Sequence, residues 1–196
     1  MPVDWDWWTV DFGDAHAGAA GVLVGGREPG PVSFDVGSGS DVPSTTHWSV
    51  YDGRRRRPRA EAIRAVCACG WRSPAQYPVD WDTIEDQPLY EADVDLTGPL
   101  ADWTAHLSVV RDAAVPLPEP LAALLVRITE QLTTTAADAP LAALRAAGVL
   151  ERIVARVSRA AAGSLCDDGM SAEAVATALG TTSSKALVLL LTAQDG

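Results

Sequence analysis

Hydrophobic residues recur with two different periods along this chain. In the first half they form short runs rich in β-branched and aromatic side chains, at 8–12, 21–24, 32–36 and 47–51, each bounded by Gly, Pro, Asp or Ser. Such runs predict short strands of a small, mostly antiparallel sheet, because branched and aromatic side chains suit a pleated, half-buried surface. Asp52-Gly53 predicts a turn, and 63–67 reads as the return strand, which carries Cys67 and Cys69 to the end of the sheet.

The period then changes. Over 100–112, Trp103, His106, Leu107 and Val110 fall at i, i+3, i+4 and i+7, which predicts a helix with His106 on its inward face. A second helix is predicted over 120–134 with Leu121, Leu124, Leu125, Ile128 and Leu132 on one stripe. Helical segments are expected at 140–147 and 149–162, with a break at Gly148 and an end at Gly163. In the longer piece Leu150, Ile153, Val154, Val157 and Ala161 form the expected buried stripe. The expected class is therefore α+β: a small antiparallel sheet followed by a helical bundle.

Composition sharpens the division. All seven tryptophans, all three tyrosines and both phenylalanines lie at or before Trp103, so the two halves have different cores. The run 115–120 carries Pro116, Pro118 and Pro120, which cannot continue a helix. The expected domains are a strand-rich unit over 1–115, a proline linker over 116–120 and a helical unit over 121–196.

A formal net charge of -11 argues against a protein that coats nucleic acid or a membrane surface, so any phosphate contact has to come from a local patch. The N-terminal residues lack a basic then apolar leader pattern, and no run approaches the ~18 apolar residues of a membrane span. Three cysteines leave an odd thiol, and Cys67 and Cys69 are poorly spaced for a mutual disulfide. These features fit a reducing, cytoplasmic setting without membrane contact.

Chemistry concentrates in Cys67-Ala68-Cys69-Gly70-Trp71-Arg72. Structural zinc takes four Cys or His ligands in a tetrahedron, and a glycine after the second thiolate lets backbone amides turn toward the sulfurs. Cys67 and Cys69 are thus expected as two ligands of a structural zinc, with His106 the third and His47 the fourth. His106 fits a core histidine equally well, and His47, at a strand start, also suits a surface or core role. His16 reads as a loop residue and Cys166 as a helix-end thiol.

Other charged groups read as solvated faces. Arg54, Arg55, Arg56, Arg57 and Arg59 crowd one loop, where a hairpin tip is favoured over a phosphate-binding finger. Asp80, Asp82, Glu85, Asp86, Glu91, Asp93 and Asp95 lack the glycine and terminal glutamate of a calcium loop and read as an acidic docking face. No nucleophile elbow or phosphate-binding glycine loop is present. The chain is read as a non-enzyme, with a metal-dependent hydrolase only a remote alternative.

The segment 170–182 resembles the helix-turn-helix family: Val175, Ala176 and Leu179 match its buried positions and Gly180 its turn, with Ala186 and Leu189 buried in a second helix over 183–192. That resemblance implies double-stranded DNA as partner, with Thr182, Ser183, Ser184 and Lys185 at the groove and Arg152, Arg156 and Arg159 on phosphate. Leu187, Val188 and Leu191 depart from the pattern, because an apolar face there suits a protein partner or a second copy. Cys67, Cys69, Gly70, Trp71 and Arg72 followed by Trp103 and His106 also resemble a C-x-C-G-W-R and W-x-x-H pattern of uncharacterised actinobacterial proteins. That likeness supports linking the two cysteines with His106 and implies no activity. The leading expectation is a DNA-associated regulator with a structural zinc, and the alternative is an interaction or assembly protein.

Overall fold

In the computed structural model, residues 5–34, 42–84 and 87–193 are described. Asp35 and Val36 of the third expected strand, and Glu85 and Asp86 of the acidic stretch, lie outside them. The chain is α+β and divides into two units, 1–112 and 113–196.

The first unit is built on β1 (Gly18–Leu23) and β4 (Ala62–Cys67), which pair antiparallel from Gly18 opposite Cys67 to Leu23 opposite Ala62. A short β5 (Tyr77–Pro78) adds to the far side of β4, giving the order β1-β4-β5. Two further strands, β2 (Val32–Ser33) and β3 (Ser44–Thr45), pair separately. β1 reads Gly-Ala-Ala-Gly before its branched residues, and these small side chains let neighbours approach closely. A Cβ on Gly18 would sit 2.5 Å from Trp103 Nε1, so only glycine admits that indole against the strand.

Trp103 belongs to α2 (Thr97–Ala113), whose buried Trp103 and Leu107 close over Ala65 and Cys67. A second cluster gathers Val22, Val32, Tyr51, Ile63, Ile84 and Leu89, with Ile84 supplied by the short α1 (Trp81–Ile84). The expected α2 face is present: Trp103 and Leu107 are buried and His106 half-buried beside them.

Three expected features of this unit differ. Residues 8–12 form no strand: 10–12 make a turn that leads into a 3-10 turn at Gly13–Ala15. His47–Tyr51 is not a strand either, since Trp48–Val50 is a 3-10 turn whose Ser49 N–H donates to His47 Nδ1. The partner of β4 is consequently β1. The arginine loop folds back on itself: Asp52 pairs with Arg59 across it, and Arg55 and Arg56 take the left-handed backbone at φ 51 and 65. Arg59 covers the Trp81 ring at 4.3 Å and Arg57 covers Phe34 at 5.3 Å, so both cations are spent on aromatic faces.

The second unit is helical. α3 (Glu119–Asp138) and α4 (Pro140–Asp167) form a hairpin closed at Ala139, each with proline in its first turn, where a missing N–H costs nothing. α4 runs through Gly148 and Gly163, contrary to the expected break and end. An interior glycine costs only about 1 kcal/mol, and the helix stops instead at Gly169, where φ is 69 and the N–H groups of Gly169 and Met170 close on Cys166 and Leu165. α5 (Ala172–Leu179) is capped by Ser171 and ends at left-handed Gly180, and α6 (Ser183–Thr192) is capped by Thr182. The two meet at 110°.

Val175, Ala176, Ala186 and Leu190 form the core of this unit, against Leu165 and Cys166 of α4. Leu190 takes the place expected of Leu189, and Leu179 stays 50% exposed. The Cys166 thiol donates to the Leu190 carbonyl at 3.7 Å, a packing role at the helix end. Among the described residues no single helix is long and apolar enough to cross a membrane.

Candidate metal centre

His16, Cys67, Cys69 and His106 bring one ligand atom each within 4.8 Å of one another. Three elements converge to do this. β4 ends at Cys67, and the chain turns at once: Gly70 N–H donates to the Cys67 carbonyl at 3.0 Å, and Gly70 holds φ at 97, a conformation that favours glycine. The turn aims the Cys69 N–H at the Cys67 sulfur and the Trp71 N–H at the Cys69 sulfur. Arg72 braces it from behind, donating to the carbonyls of Cys67 and Trp71 and to Glu28, which also holds Arg64.

α2 supplies His106. Its Nε2 lies 3.4 Å from Cys69 Sγ, and Trp71 stacks flat on the ring, centroids 4.4 Å apart and planes within 5°. The fourth group comes from the segment before β1. His16 is 5% exposed and places Nδ1 3.6 Å from Cys67 Sγ. Trp103 Nε1 donates to its backbone carbonyl, and Phe12 packs edge-on against its ring.

His16 therefore stands where His47 was expected. His47 Nδ1 lies 2.7 Å from Ser49 Oγ and its Nε2 2.9 Å from Asp6, which commits the ring to the 3-10 turn and the N-terminal segment. The β1–β4 register explains the choice. Gly18 opposes Cys67 and the Ala68 N–H donates to the Ala17 carbonyl, so the residue just before, His16, lies beside the cysteine turn. Reading 47–51 as the partner strand hid this, and the signal that would have revealed it is the run Ala-His-Ala-Gly entering a small-residue strand.

Electrostatics favour ionised sulfur. The Cys67 thiol donates to the Cys69 sulfur, which, with the Trp71 and His106 contacts, holds Cys69 down to about 4 despite partial burial. The same shared proton, and burial, push Cys67 well above the ordinary thiol range. The pair is thus disposed to share one proton, the one a cation would displace on binding both sulfurs. Four ligand atoms of this kind, two soft and two borderline, form a donor set able to hold a metal ion.

The remaining residues singled out in the sequence are dispersed. Arg152, Arg156 and Arg159 are exposed on α4. Ser183, Ser184 and Lys185 form the exposed first turn of α6, and the Thr182 hydroxyl accepts from Lys185 N–H. Leu187, Val188 and Leu191 are 49%, 60% and 51% exposed. In the acidic stretch Asp80 and Asp95 accept from residues just beyond them, Asp82, Thr83 and Thr97, which lowers both carboxyls and uses them as local caps. The chain matches no protein family, and no curated protein or solved structure is significantly similar to it.

Proposed function

We propose that this protein is a zinc-stabilised scaffold joined to a helical unit that works by binding another protein. The single observation that carries the zinc reading is the spacing of the ligand atoms. Zn–S bonds of about 2.3 Å and Zn–N bonds of about 2.0–2.1 Å at the tetrahedral angle put neighbouring S and N about 3.6 Å apart. Two of the four S–N pairs stand at 3.4 and 3.6 Å, and all four ligand atoms lie within 4.8 Å of one another. With four protein ligands there is no open position for an activated water, so the role is structural and the protein is not proposed as an enzyme.

Such a site would fasten the residues before β1, the end of β4 and α2 to one ion. The measurement is zinc per chain on protein purified without chelators, beside a Cys67→Ser/Cys69→Ser variant. About one zinc in the parent, and none in a variant with lowered thermal stability, supports the reading. A metal-free parent of equal stability removes it.

The interaction reading rests on α6. Leu187, Val188 and Leu191 leave an apolar face on a helix that has one cation, Lys185. Leu187→Asp should abolish partner capture while leaving helicity unchanged, and capture that survives it counts against this face.

DNA binding is the second reading, favoured by the 110° angle between α5 and α6 and by the exposed row Arg152, Arg156 and Arg159. On that reading the arginines hold phosphate and the turn 182–185 enters the groove. Affinity for duplex DNA should fall steeply with salt, and replacing the three arginines by alanine should flatten the slope. A flat response in the parent excludes it.

A further inference from the structure

The hairpin of α3 and α4 turns at Ala139, so residues equally far from the turn stand at the same level. Leu125 is level with Ile153, Leu124 with Val154 and Leu121 with Val157. Their spacing gives each helix an apolar stripe, and two such stripes facing each other should bury one another. They do not: all six side chains remain between 43% and 60% exposed, whereas Ala143 near the turn is 9% exposed. A cleft of about 610 Å³ opens between the helices, lined by Leu124, Ile128 and Leu132 on one side and Ala146, Val149 and Leu150 on the other.

We propose that the open end of this hairpin is closed by the same hairpin of a second copy, which completes a four-helix core around a two-fold axis. Two amphipathic helices supply half the layers of such a bundle, and in a two-fold contact the same patch appears on both sides. The six level side chains are aliphatic, and Arg127, Gln131 and Arg145, which also line the cleft, are exposed to solvent at its edge. Arg152, Arg156 and Arg159 line a pocket with Val149 and Ile153, so they border the patch and would stand at the rim of the contact.

The area agrees with a stable dimer. At these exposures the six side chains leave roughly 500 Å² of apolar surface, at the upper end of what a monomer tolerates in one patch. Homodimer contacts are about 65% apolar, so a centre of that size belongs to an interface of about 800 Å² per partner, the standard size. This surface is separate from the α6 face, and its failure would leave the α6 reading standing.

The test is the mass in solution of the full, metal-loaded chain at micromolar concentration, by light scattering and sedimentation, with helicity followed by circular dichroism. The parent and Leu187→Asp should both run at twice the chain mass of 20.6 kDa. Val154→Glu should run at the single mass with helicity retained, and the near-isosteric Val157→Thr should raise the dissociation constant about tenfold. A monomeric parent overturns the proposal, including one in which Val154→Cys resists a thiol reagent, because the stripe is then covered by the chain itself. A dimer that ignores Val154→Glu, or is lost only in Leu187→Asp, overturns it as well.

Discussion

Trp103 Nε1 donates to the backbone carbonyl of His16 at 3.0 Å, so the helix that presents His106 also holds the loop that presents His16. The indole lies against Gly18 at the start of β1, which makes it the buried brace between two ligand-bearing segments. Trp103→Phe retains most of the ring and removes the donor. The expected loss is about 1–1.5 kcal/mol of stability in denaturant titrations, with faster release of metal to a chelator. Unchanged release would mean that packing alone positions His16.

Ligand identity can be read residue by residue with cobalt, whose tetrahedral thiolate spectrum reports the donor set. His16→Ala, Cys69→Ser and His106→Ala should each weaken or abolish that spectrum. His47→Ala should leave it intact, because the His47 ring is committed to Ser49 and Asp6. Loss of the spectrum in His47→Ala together with retention in His16→Ala would reverse the assignment.

Gly18→Ala tests the close approach of helix to strand. The added methyl would fall 2.5 Å from Trp103 Nε1, within the indole itself, and the rigid ring has to move as a whole. Overpacking of this kind costs about 1–3 kcal/mol, and here it should also loosen the cluster by shifting α2. The readouts are the thermal midpoint and metal retention of the same preparation.

Glu28 gives a pH signature. Partial burial pushes its carboxyl up, but hydrogen bonds and positive charge from Arg64 and Arg72 outweigh that and leave it below the usual value. A carboxylate lowered on folding stabilises fully above its unfolded pKa of about 4.3, and the contribution is lost as pH falls through the lower folded value. Glu28→Gln should therefore be less stable than the parent at pH 7, by well under ~1 kcal/mol after solvent screening, and the difference should close in acid and shrink in salt. A gap that persists below pH about 3 would assign the effect to packing.

Much of this architecture is visible in the residues alone. The C-x-C-G turn, the inward face of α2 and the alternation of long amphipathic helices follow from local chemistry and period, because each is decided within a dozen residues. His16 was not legible for a physical reason: its role depends on which strand pairs with β4, and strand pairing is non-local. The end of α4 was missed because Gly163 and Gly169 look alike in sequence, and only the hydrogen bonds of Gly169 and Met170 single out the second. The unburied stripes of α3 and α4 run against their amphipathic pattern, since a period says which face is apolar and not what covers it.

The confinement of every aromatic residue to the first unit has an optical consequence. Tryptophan emission reports only on the half that carries the His16, Cys67, Cys69 and His106 cluster, while the long helices of the other half dominate the far-ultraviolet dichroism. One sample titrated with chelator thus carries two independent gauges. If the cluster holds an ion, emission should change as the chelator removes it, and the helical signal will reveal whether the two halves melt as one body or as two.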